Sequence, residues 1–178
     1  FNGAVVIFGP EKSGKSHLAN IWKENSNANV YNLEDNLLLS DIDTKKNFVL
    51  DNFHNLSEND EEDLFHIYNQ TFNNKKSILI TLDKNKFKKI NLKDLESRFN
   101  SLSSATIYPP DDNLVNALII KFFKDQQINI DPSVINFIIK RIERDYSEIF
   151  HFLKKIDNLS LENKAKISVP FLNKFFDF

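Results

Sequence analysis

The segment at residues 9–16 constrains the fold of this chain most, because it fits the pattern G-x-x-x-x-G-K-[ST]. An apolar run rich in β-branched residues precedes it at residues 4–8 and is typical of a buried strand. An amphipathic helix is expected after it, at residues 15–23. The pattern therefore lies between a strand and a helix, which is the context it requires. The side chains expected on the buried side of that helix are Leu18, Ile21 and Trp22.

This turn predicts a phosphate-binding loop. Backbone N–H groups and the N-terminus of the following helix attract anions. In such loops the lysine, here Lys15, contacts the β- and γ-phosphates, and the hydroxyl, here Ser16, holds Mg²⁺. The simpler alternative is a glycine turn beside an exposed lysine. The strand and helix on either side favour nucleotide binding over that alternative.

Composition excludes several other classes of function. The 178 residues are 41% hydrophobic with a formal net charge of -2, so the chain lacks the basic excess of proteins dedicated to nucleic-acid backbones. Cysteine is absent, which rules out disulfides and thiolate metal sites. Neither a basic leader nor an apolar run near the ~20 residues of a membrane span is visible. Because methionine is also absent and the chain opens directly into a strand, we expect an upstream segment to be missing.

Strand and helix signals alternate over the first part of the chain. Ser57 and Asp60 resemble a capping box, and the helix they open carries apolar residues at helical spacing from Leu64 to Phe72. This alternation predicts a mainly parallel sheet covered on both faces. The expected strands are residues 4–8, 29–33, 48–51, 77–82 and 105–108, with a polar loop at residues 34–46, an exposed lysine-rich loop at residues 85–91 and a short helix at residues 92–99.

Pro109 and Pro110 mark the clearest internal boundary, and beyond them the strand signals stop. We therefore predict an α/β subdomain at residues 1–108 and a small helical subdomain at residues 109–178. The helices expected in the second part lie at residues 112–126 and 132–142, after a capping box of Asp145 and Glu148, and after Ser168.

Asp51 ends an apolar strand downstream of the loop, where phosphate-binding-loop enzymes keep an aspartate linked to Mg²⁺. A strand-terminal or capping role is the alternative, and the loop favours the metal role. Asn52 follows, at or beside a position where ATP-hydrolysing enzymes often carry a carboxylate. An amide cannot accept a proton, so we expect weak hydrolysis by the isolated chain. Thr81 lies near the end of its strand and, taken alone, is best interpreted as structural.

Two groups of basic residues leave alternatives open. Arg98 either pairs with a nearby carboxylate or helix end, or inserts into a neighbouring subunit's nucleotide site, for which a planar, bidentate guanidinium is suited. Taken alone, the residue favours the first interpretation. A lysine cluster favours a solvated loop over a phosphate-contacting surface. Its members are Lys84, Lys86, Lys88, Lys89 and Lys93.

The order of these motifs resembles the DnaA-like AAA+ proteins and, within them, the Hda family, over nearly the whole chain. Residues 14–18 are similar to the family's exit from the phosphate-binding loop, and the sequence Leu-Asp-Asn at residues 50–52 to its Walker B strand. Residues 79–83 resemble the sensor 1 strand, and residues 94–99 the box that carries an arginine finger. Residues 167–171 resemble the entry to the last lid helix. This ordered combination is much more specific than the loop alone.

Hda proteins are regulatory inactivators of the replication initiator DnaA. The resemblance implies a bacterial cytoplasmic AAA+ protein that binds ADP or ATP with Mg²⁺ and stimulates ATP hydrolysis by DnaA through a finger supplied in trans. It also implies docking on the polymerase sliding clamp through an upstream segment, indirect contact with DNA, no membrane, and homo-oligomers as an option. The implied catalytic residues are Arg98, Asp51 and Thr81, the metal ligands Ser16 and Asp51, and the nucleotide contacts Gly9, Pro10, Glu11, Lys12, Ser13, Gly14, Lys15, Ser16 and His17.

Two features depart from the family's pattern. Ser147 occupies the position of the lid arginine called sensor 2 and cannot supply its charge; Arg144 is the nearest substitute. The N-terminal clamp-binding motif is not visible in this sequence. The remaining alternatives are a DnaA-type initiator or helicase-loader-like AAA+ ATPase that hydrolyses its own ATP, and a nucleotide-free interaction scaffold. ATP turnover separates the enzymes from the others, and nucleotide retained on purification separates the regulator from the scaffold.

Overall fold

The computed structural model describes residues 3–32, 38–53, 57–83, 85–87 and 89–176, and it divides into two compact units after Tyr108. Within these ranges, the first unit contains strands β1 (Ala4–Phe8), β2 (Asn29–Asn32), β3 (Phe48–Asp51), β4 (Ile78–Leu82) and β5 (Ser103–Thr106), and helices α1 (Lys15–Ser26), α2 (Glu58–Asn73) and α3 (Lys93–Asn100). The second contains α4 (Asp112–Asp125), α5 (Pro132–Ile139), α6 (Tyr146–Asn163) and α7 (Val169–Phe175).

The five strands form one parallel sheet in the order β2-β3-β4-β1-β5. Because β1 lies between β4 and β5, Phe8 at its end pairs with both Leu82 and Thr106. The carboxyl ends of parallel strands meet at one edge of a sheet, which is where open α/β sheets bind ligands. The loop after β1 and the ends of β3 and β4 therefore share that edge. The predicted α/β class with a mainly parallel sheet is confirmed.

Both faces of this sheet are covered, because successive side chains of each strand point in opposite directions. Val49 and Leu79 pack with Ala19 of α1 on one face. The other face carries the larger cluster, in which residues such as Leu50 and Ile80 pack with helices α2 and α3. Strands buried on both sides are expected to be continuously apolar, as residues 48–50 of β3 and 78–80 of β4 are.

The prediction for the buried side of α1 is wrong in part. Leu18 and Ile21 are each 43% exposed, and Trp22 is half-buried. The helix buries Lys15 and Ala19 instead, a separation of four residues that places both on one side. Helix α1 therefore buries the side that carries Lys15 and Ala19, rather than the side with its largest apolar residues.

The last strand also differs from its expected position, since it spans Ser103–Thr106 rather than residues 105–108. All four of its residues are exposed, and the strand pairs only with β1 among the described strands. Small polar residues at a sheet edge produce no apolar periodicity, so the pairing with β1 rather than side-chain burial determines where the strand begins.

The capping box predicted at the start of α2 is confirmed. The Ser57 amide donates to Asp60 Oδ2 at 2.8 Å, and the Asp60 amide donates to Ser57 Oγ at 3.2 Å. Phe72, expected on the apolar face of this helix, is 46% exposed and stacks on Tyr68. The loop expected at residues 34–46 contains a 3-10 turn at Leu39–Asp41, which buries Leu39.

The second unit is a helical unit with its own apolar core, in which Ile119, Ile149 and Leu153 are fully buried. Helix α5 ends at Ile139, three residues before its expected end. The Arg144 guanidinium donates to the carbonyl oxygens of Ile139 at 2.8 Å and Ile142 at 3.0 Å. None of the helices in the described part of the chain is long and apolar enough to cross a membrane.

Candidate functional site

The loop at residues 9–16 is folded as a concave turn at the end of β1. Gly14 has φ 94°, a left-handed conformation that favours glycine, and it directly precedes α1. Lys15 is only 7% exposed, and its Nζ donates to the carbonyl oxygens of Gly9 at 2.9 Å and Pro10 at 2.7 Å. The ammonium group is thus held over the inside of the turn, where a phosphate-binding loop uses it.

The other glycine of the loop, Gly9, is required because neighbouring side chains approach its backbone closely. A Cβ added there would lie 2.7 Å from Ser13 Oγ and 3.0 Å from Ile107 Cβ. Within the described structure, Ser13 Oγ is buried without a hydrogen-bond partner. A cradle that has no room for a methyl group and directs an unsatisfied hydroxyl inward fits an acceptor-rich ligand such as a polyphosphate.

Asp51 and Thr81 meet at the adjacent strand ends. The Thr81 hydroxyl donates to Asp51 Oδ1, and the Thr81 hydroxyl oxygen accepts the Asn52 amide at 3.2 Å. Both side chains are buried, at 7% exposure for Asp51 and 0% for Thr81. This contact orients one carboxylate oxygen and gives Thr81 a definite role, that of holding the aspartate in place.

Asn52 is in the left-handed region, with φ 57°, which asparagine tolerates better than most residues. Its side-chain amide donates to Asn32 Oδ1 at 3.3 Å, and the next amide, of Phe53, donates to the Thr81 carbonyl at 2.9 Å. The side chain therefore links the ends of β2 and β3. The residue after the candidate metal ligand is thus engaged in a hydrogen bond within the protein.

Charges around Lys15 come from both sides. Burial lowers the pKa of Lys15 below its ordinary value, while the carboxylates of Asp83 and Asp51 act in the opposite direction and the nearby charge of Lys86 lowers it further. Lys86 Nζ lies 3.0 Å from Glu11 Oε2, within the loop. That contact lowers the pKa of Glu11 below its ordinary value.

Arg98 lies on α3 with an exposed side chain. Its guanidinium carbon is 5.9 Å from the ring centre of Phe65 and 5.6 Å from that of Tyr68, both on α2. Such cation–π contacts orient a guanidinium while leaving it accessible to solvent. The aromatic rings of α2 are thus the surface that supports Arg98.

The N-terminus of α3 is held by the same helix. Leu92, its N-cap residue, makes no side-chain cap, and the buried Glu61 of α2 binds the backbone at this position. The Glu61 carboxylate accepts the amides of Leu92 at 2.7 Å and Asn91 at 2.9 Å. Helix α2 therefore holds the backbone just before α3 and also contacts α3 beneath Arg98.

In the lid, Arg144 is engaged in supporting the helices. Besides the carbonyls of Ile139 and Ile142, it contacts Asp112 Oδ1 at 2.6 Å, at the start of α4. Ser147 is half-buried on α6, and its hydroxyl is buried with no hydrogen-bond partner in the described structure. Arg144 thus has a structural function that the sequence did not predict.

The structure brings Lys15, Asp51 and Thr81 to one edge of the sheet, while Ser16 and His17 are exposed on the first turn of α1. Sequence reasoning missed the contributions of Asp83, Lys86 and Glu61. Lys86 belongs to the lysine cluster, but nothing in its spacing distinguishes it from its neighbours. Within that cluster, Lys84 and Lys88 lie outside the described residues.

Comparisons with known proteins identify the relatives of this chain. Residues 111–176 match the lid domain of Hda. An uncharacterized protein of Haemophilus influenzae is 25% identical over 190 residues, which cover 96% of this chain and 80% of that protein. The DnaA initiator of Buchnera aphidicola subsp. Cinara cedri is 23% identical over 201 residues, 99% of this chain but 46% of its own length. The chain thus spans about half the length of that DnaA.

Solved structures share the fold at low sequence identity. Domain III of Thermotoga maritima DnaA superposes with a TM-score of 0.70 and 17% identity, covering 98% of this chain and 85% of that one. The Thermotoga maritima RuvB branch-migration motor gives a TM-score of 0.73 at 18% identity, over 96% of this chain and 60% of that one. From the lid match, the DnaA relatives and this shared fold, the chain is an Hda/DnaA-like AAA+ protein.

Proposed function

We propose that this chain is an adenine-nucleotide-binding regulator of replication initiation that stimulates ATP hydrolysis by DnaA through Arg98. The observation that carries the proposal is the exposed, aromatic-supported Arg98 on α3 in a chain whose lid matches that of Hda. An arginine meant for a partner's phosphate must be accessible and oriented, and Arg98 is both.

Nucleotide binding is the first part of the proposal. The amides of residues 9–16 and Lys15 would hold the phosphates, and Ser16 and Asp51 would hold Mg²⁺, which neutralises phosphate charge when bound. The crowded Gly9 and the unsatisfied Ser13 hydroxyl support this assignment. A DnaA of similar fold, with a TM-score of 0.70, has been solved bound to AMPPCP and single-stranded DNA. We propose that ADP is the preferred ligand here.

Regulation in trans is the second part. The transition state of phosphoryl transfer spreads negative charge over the equatorial oxygens, and a guanidinium supplied from outside stabilises it. Fingers of this kind contribute about 10³–10⁵ in rate in well-studied GTPases. We propose that DnaA is the partner, and that docking on the DNA-bound sliding clamp brings the two proteins together.

The decisive experiment measures ATP hydrolysis by DnaA in the presence of clamp-loaded DNA and the full-length protein. Arg98→Ala should remove most of the stimulation while leaving ADP affinity and melting temperature nearly unchanged, because the side chain is exposed. Arg98→Lys should also fail, since a point charge cannot bridge two phosphate oxygens in the same way. Lys93→Ala, which removes another exposed cation from α3, is the matched control and should stimulate normally.

The opposite pattern would contradict the proposal. If Arg98 serves only to pack on Phe65 and Tyr68, Arg98→Ala will melt earlier and still stimulate fully per folded molecule. Nucleotide binding is tested separately by calorimetry with ADP and Mg²⁺, in which the wild type should bind and Lys15→Ala should not. Absence of heat for the wild type would favour a nucleotide-free scaffold instead.

A further inference from the structure

The lysine-rich segment after β4 reaches the phosphate-binding loop through Lys86. Gly9, at the start of the loop, donates its amide to the Leu82 carbonyl at 3.1 Å, so the ends of β1 and β4 are in direct contact. Four residues beyond Leu82, the ammonium of Lys86 contacts the Glu11 carboxylate across 75 positions of sequence. One member of the cluster is thus beside the loop, whereas Lys89 contacts Glu96 of α3 at 4.0 Å.

The backbone that carries Lys86 is well anchored on both sides. Asp83 forms the turn before it, with its carboxylate accepting the Asn85 amide at 2.9 Å and its carbonyl accepting the Lys86 amide at 3.1 Å. Phe87, immediately after it, stacks on Phe53 at 5.8 Å and on Phe99 at 5.4 Å. A flexible side chain on an anchored backbone can exchange partners without any rearrangement of the loop.

The contact with Glu11 is of a kind that is easily exchanged. The side chains are 49% and 58% exposed, and ion pairs at such exposure contribute little to stability. A polyphosphate carries more negative charge than one carboxylate and accepts stronger hydrogen bonds from ammonium groups. Lys86 is near enough to Lys15 for its charge to lower the pKa of Lys15. A ligand held by Lys15 would therefore attract Lys86 as well.

Compared with the Hda pattern, this sequence lacks one phosphate-binding cation. Ser147 stands where the family has its phosphate-contacting arginine, and Arg144 is engaged by Asp112 and by two carbonyls of its own unit. We propose that Lys86 is a second phosphate-binding cation, which Glu11 holds beside the loop and which transfers to the polyphosphate of a bound nucleotide. This inference rests on the proposed nucleotide binding and adds a residue to it.

The test is a double-mutant cycle on ADP affinity, measured by calorimetry with Mg²⁺. Lys86→Gln should weaken ADP binding roughly tenfold, as expected for the loss of one charged hydrogen bond. Glu11→Gln should instead tighten binding severalfold, because Lys86 no longer has to leave a carboxylate. In the Lys86→Gln background the same change at Glu11 should have a much smaller effect. Lys89→Gln, with the same change of charge in the same segment, is the control and should bind like the wild type.

Each result has a definite meaning. Equal weakening of ADP binding by Lys86→Gln and Lys89→Gln would overturn the inference, because the effect would then come from the net charge of the segment. Weakening by Glu11→Gln similar to that by Lys86→Gln would overturn it too, since the pair would then serve to hold the loop. A wild-type protein that binds no ADP would overturn the proposed nucleotide function together with this inference. Equal ADP affinity of the wild type and Lys86→Gln would overturn the inference alone.

Discussion

At the scale of single residues, the site is built from side chains that restrain one another. Thr81 holds Asp51, the Asn52 amide binds Thr81, and the Asn52 side chain binds Asn32. A left-handed asparagine can satisfy all of these contacts at once, because its short polar side chain tolerates positive φ. These contacts give the asparagine at position 52 a conformational reason.

The isolated chain is expected to hydrolyse ATP very slowly. Asn52 cannot accept a proton from water, and its side chain is bonded to Asn32. We expect turnover far below the ~10 s⁻¹ typical of enzymes. A phosphate-release assay on the purified protein with Mg²⁺ and ATP checks this, with Lys15→Ala as the background. Turnover at enzymatic rates that disappears in Lys15→Ala would favour the initiator or helicase-loader alternative.

Tyr68 reports on the position of Arg98. Burial raises the pKa of Tyr68 above its ordinary value of 10.0, and the charge of Arg98 opposes this rise. Arg98→Ala should therefore raise the pKa of Tyr68 further, which an NMR titration of the ring can follow. Lys93→Ala should leave it unchanged; an equal shift in both variants would place the guanidinium away from the ring.

The same group makes a prediction about stability. A tyrosine whose pKa is higher in the folded state keeps its proton there while the unfolded chain loses it. The contribution of Tyr68 to the free energy of unfolding is therefore fully present below pH 10.0 and decreases as the pH rises above that value. The loss should be steeper in Arg98→Ala than in the wild type, as measured by denaturant melts across this range.

At the scale of elements, α2 determines where α3 lies. Glu61 binds the two amides that immediately precede α3, and Phe65 and Tyr68, about one and two turns further along α2, support Arg98. The spacing of 61, 65 and 68 places all three on one side of α2. A single helical face thus holds both the beginning of α3 and the residue proposed to act on DnaA.

Glu61→Gln should lower the free energy of unfolding by about 1–3 kcal/mol. The buried glutamine would offer the two backbone amides one acceptor oxygen, where the glutamate offers two. Hydrogen exchange at Asn91 and Leu92 should become faster in the same variant. Glu62→Gln changes the exposed neighbouring residue and serves as the control in both measurements. Unchanged stability and exchange in Glu61→Gln would show that α3 does not depend on this carboxylate.

At the scale of the whole molecule, each unit has its own core. We propose that residues 109–178 form an independent lid subdomain, and that this segment unfolds cooperatively when expressed alone. Leu153→Ala should destabilise it by about 2–5 kcal/mol, since that side chain is fully buried. Leu161→Ala removes a side chain that is 66% exposed and should have little effect. A segment with no melting transition by circular dichroism would contradict the proposal.

The sequence predicted most of the fold, because buried strands, capping residues and the glycine-rich turn are local signals. The alternation around residues 48–51 and 77–82 was enough for the parallel sheet, and Ser57 with Asp60 marked the start of α2. The sequence did not predict features that depend on residues far apart along the chain. The edge strand β5 is set by pairing with β1, and helix α1 buries the side that carries Lys15 and Ala19 rather than its largest apolar residues. The contacts of Lys86 with Glu11 and of Glu61 with α3 join residues 75 and 31 positions apart.

The crowding at Gly9 has an evolutionary consequence. Its missing Cβ is excluded by Ser13 and by Ile107, a residue that follows the edge strand almost a hundred positions later. A lineage cannot enlarge residue 107 without pushing on the turn, nor replace Gly9 without first making space at both neighbours. Sequence change at residue 107, just after the edge strand, is therefore limited by the loop near the other end of the subdomain's sequence. Substitutions at 9, 13 and 107 should be inherited together, as a set, among descendants of this protein.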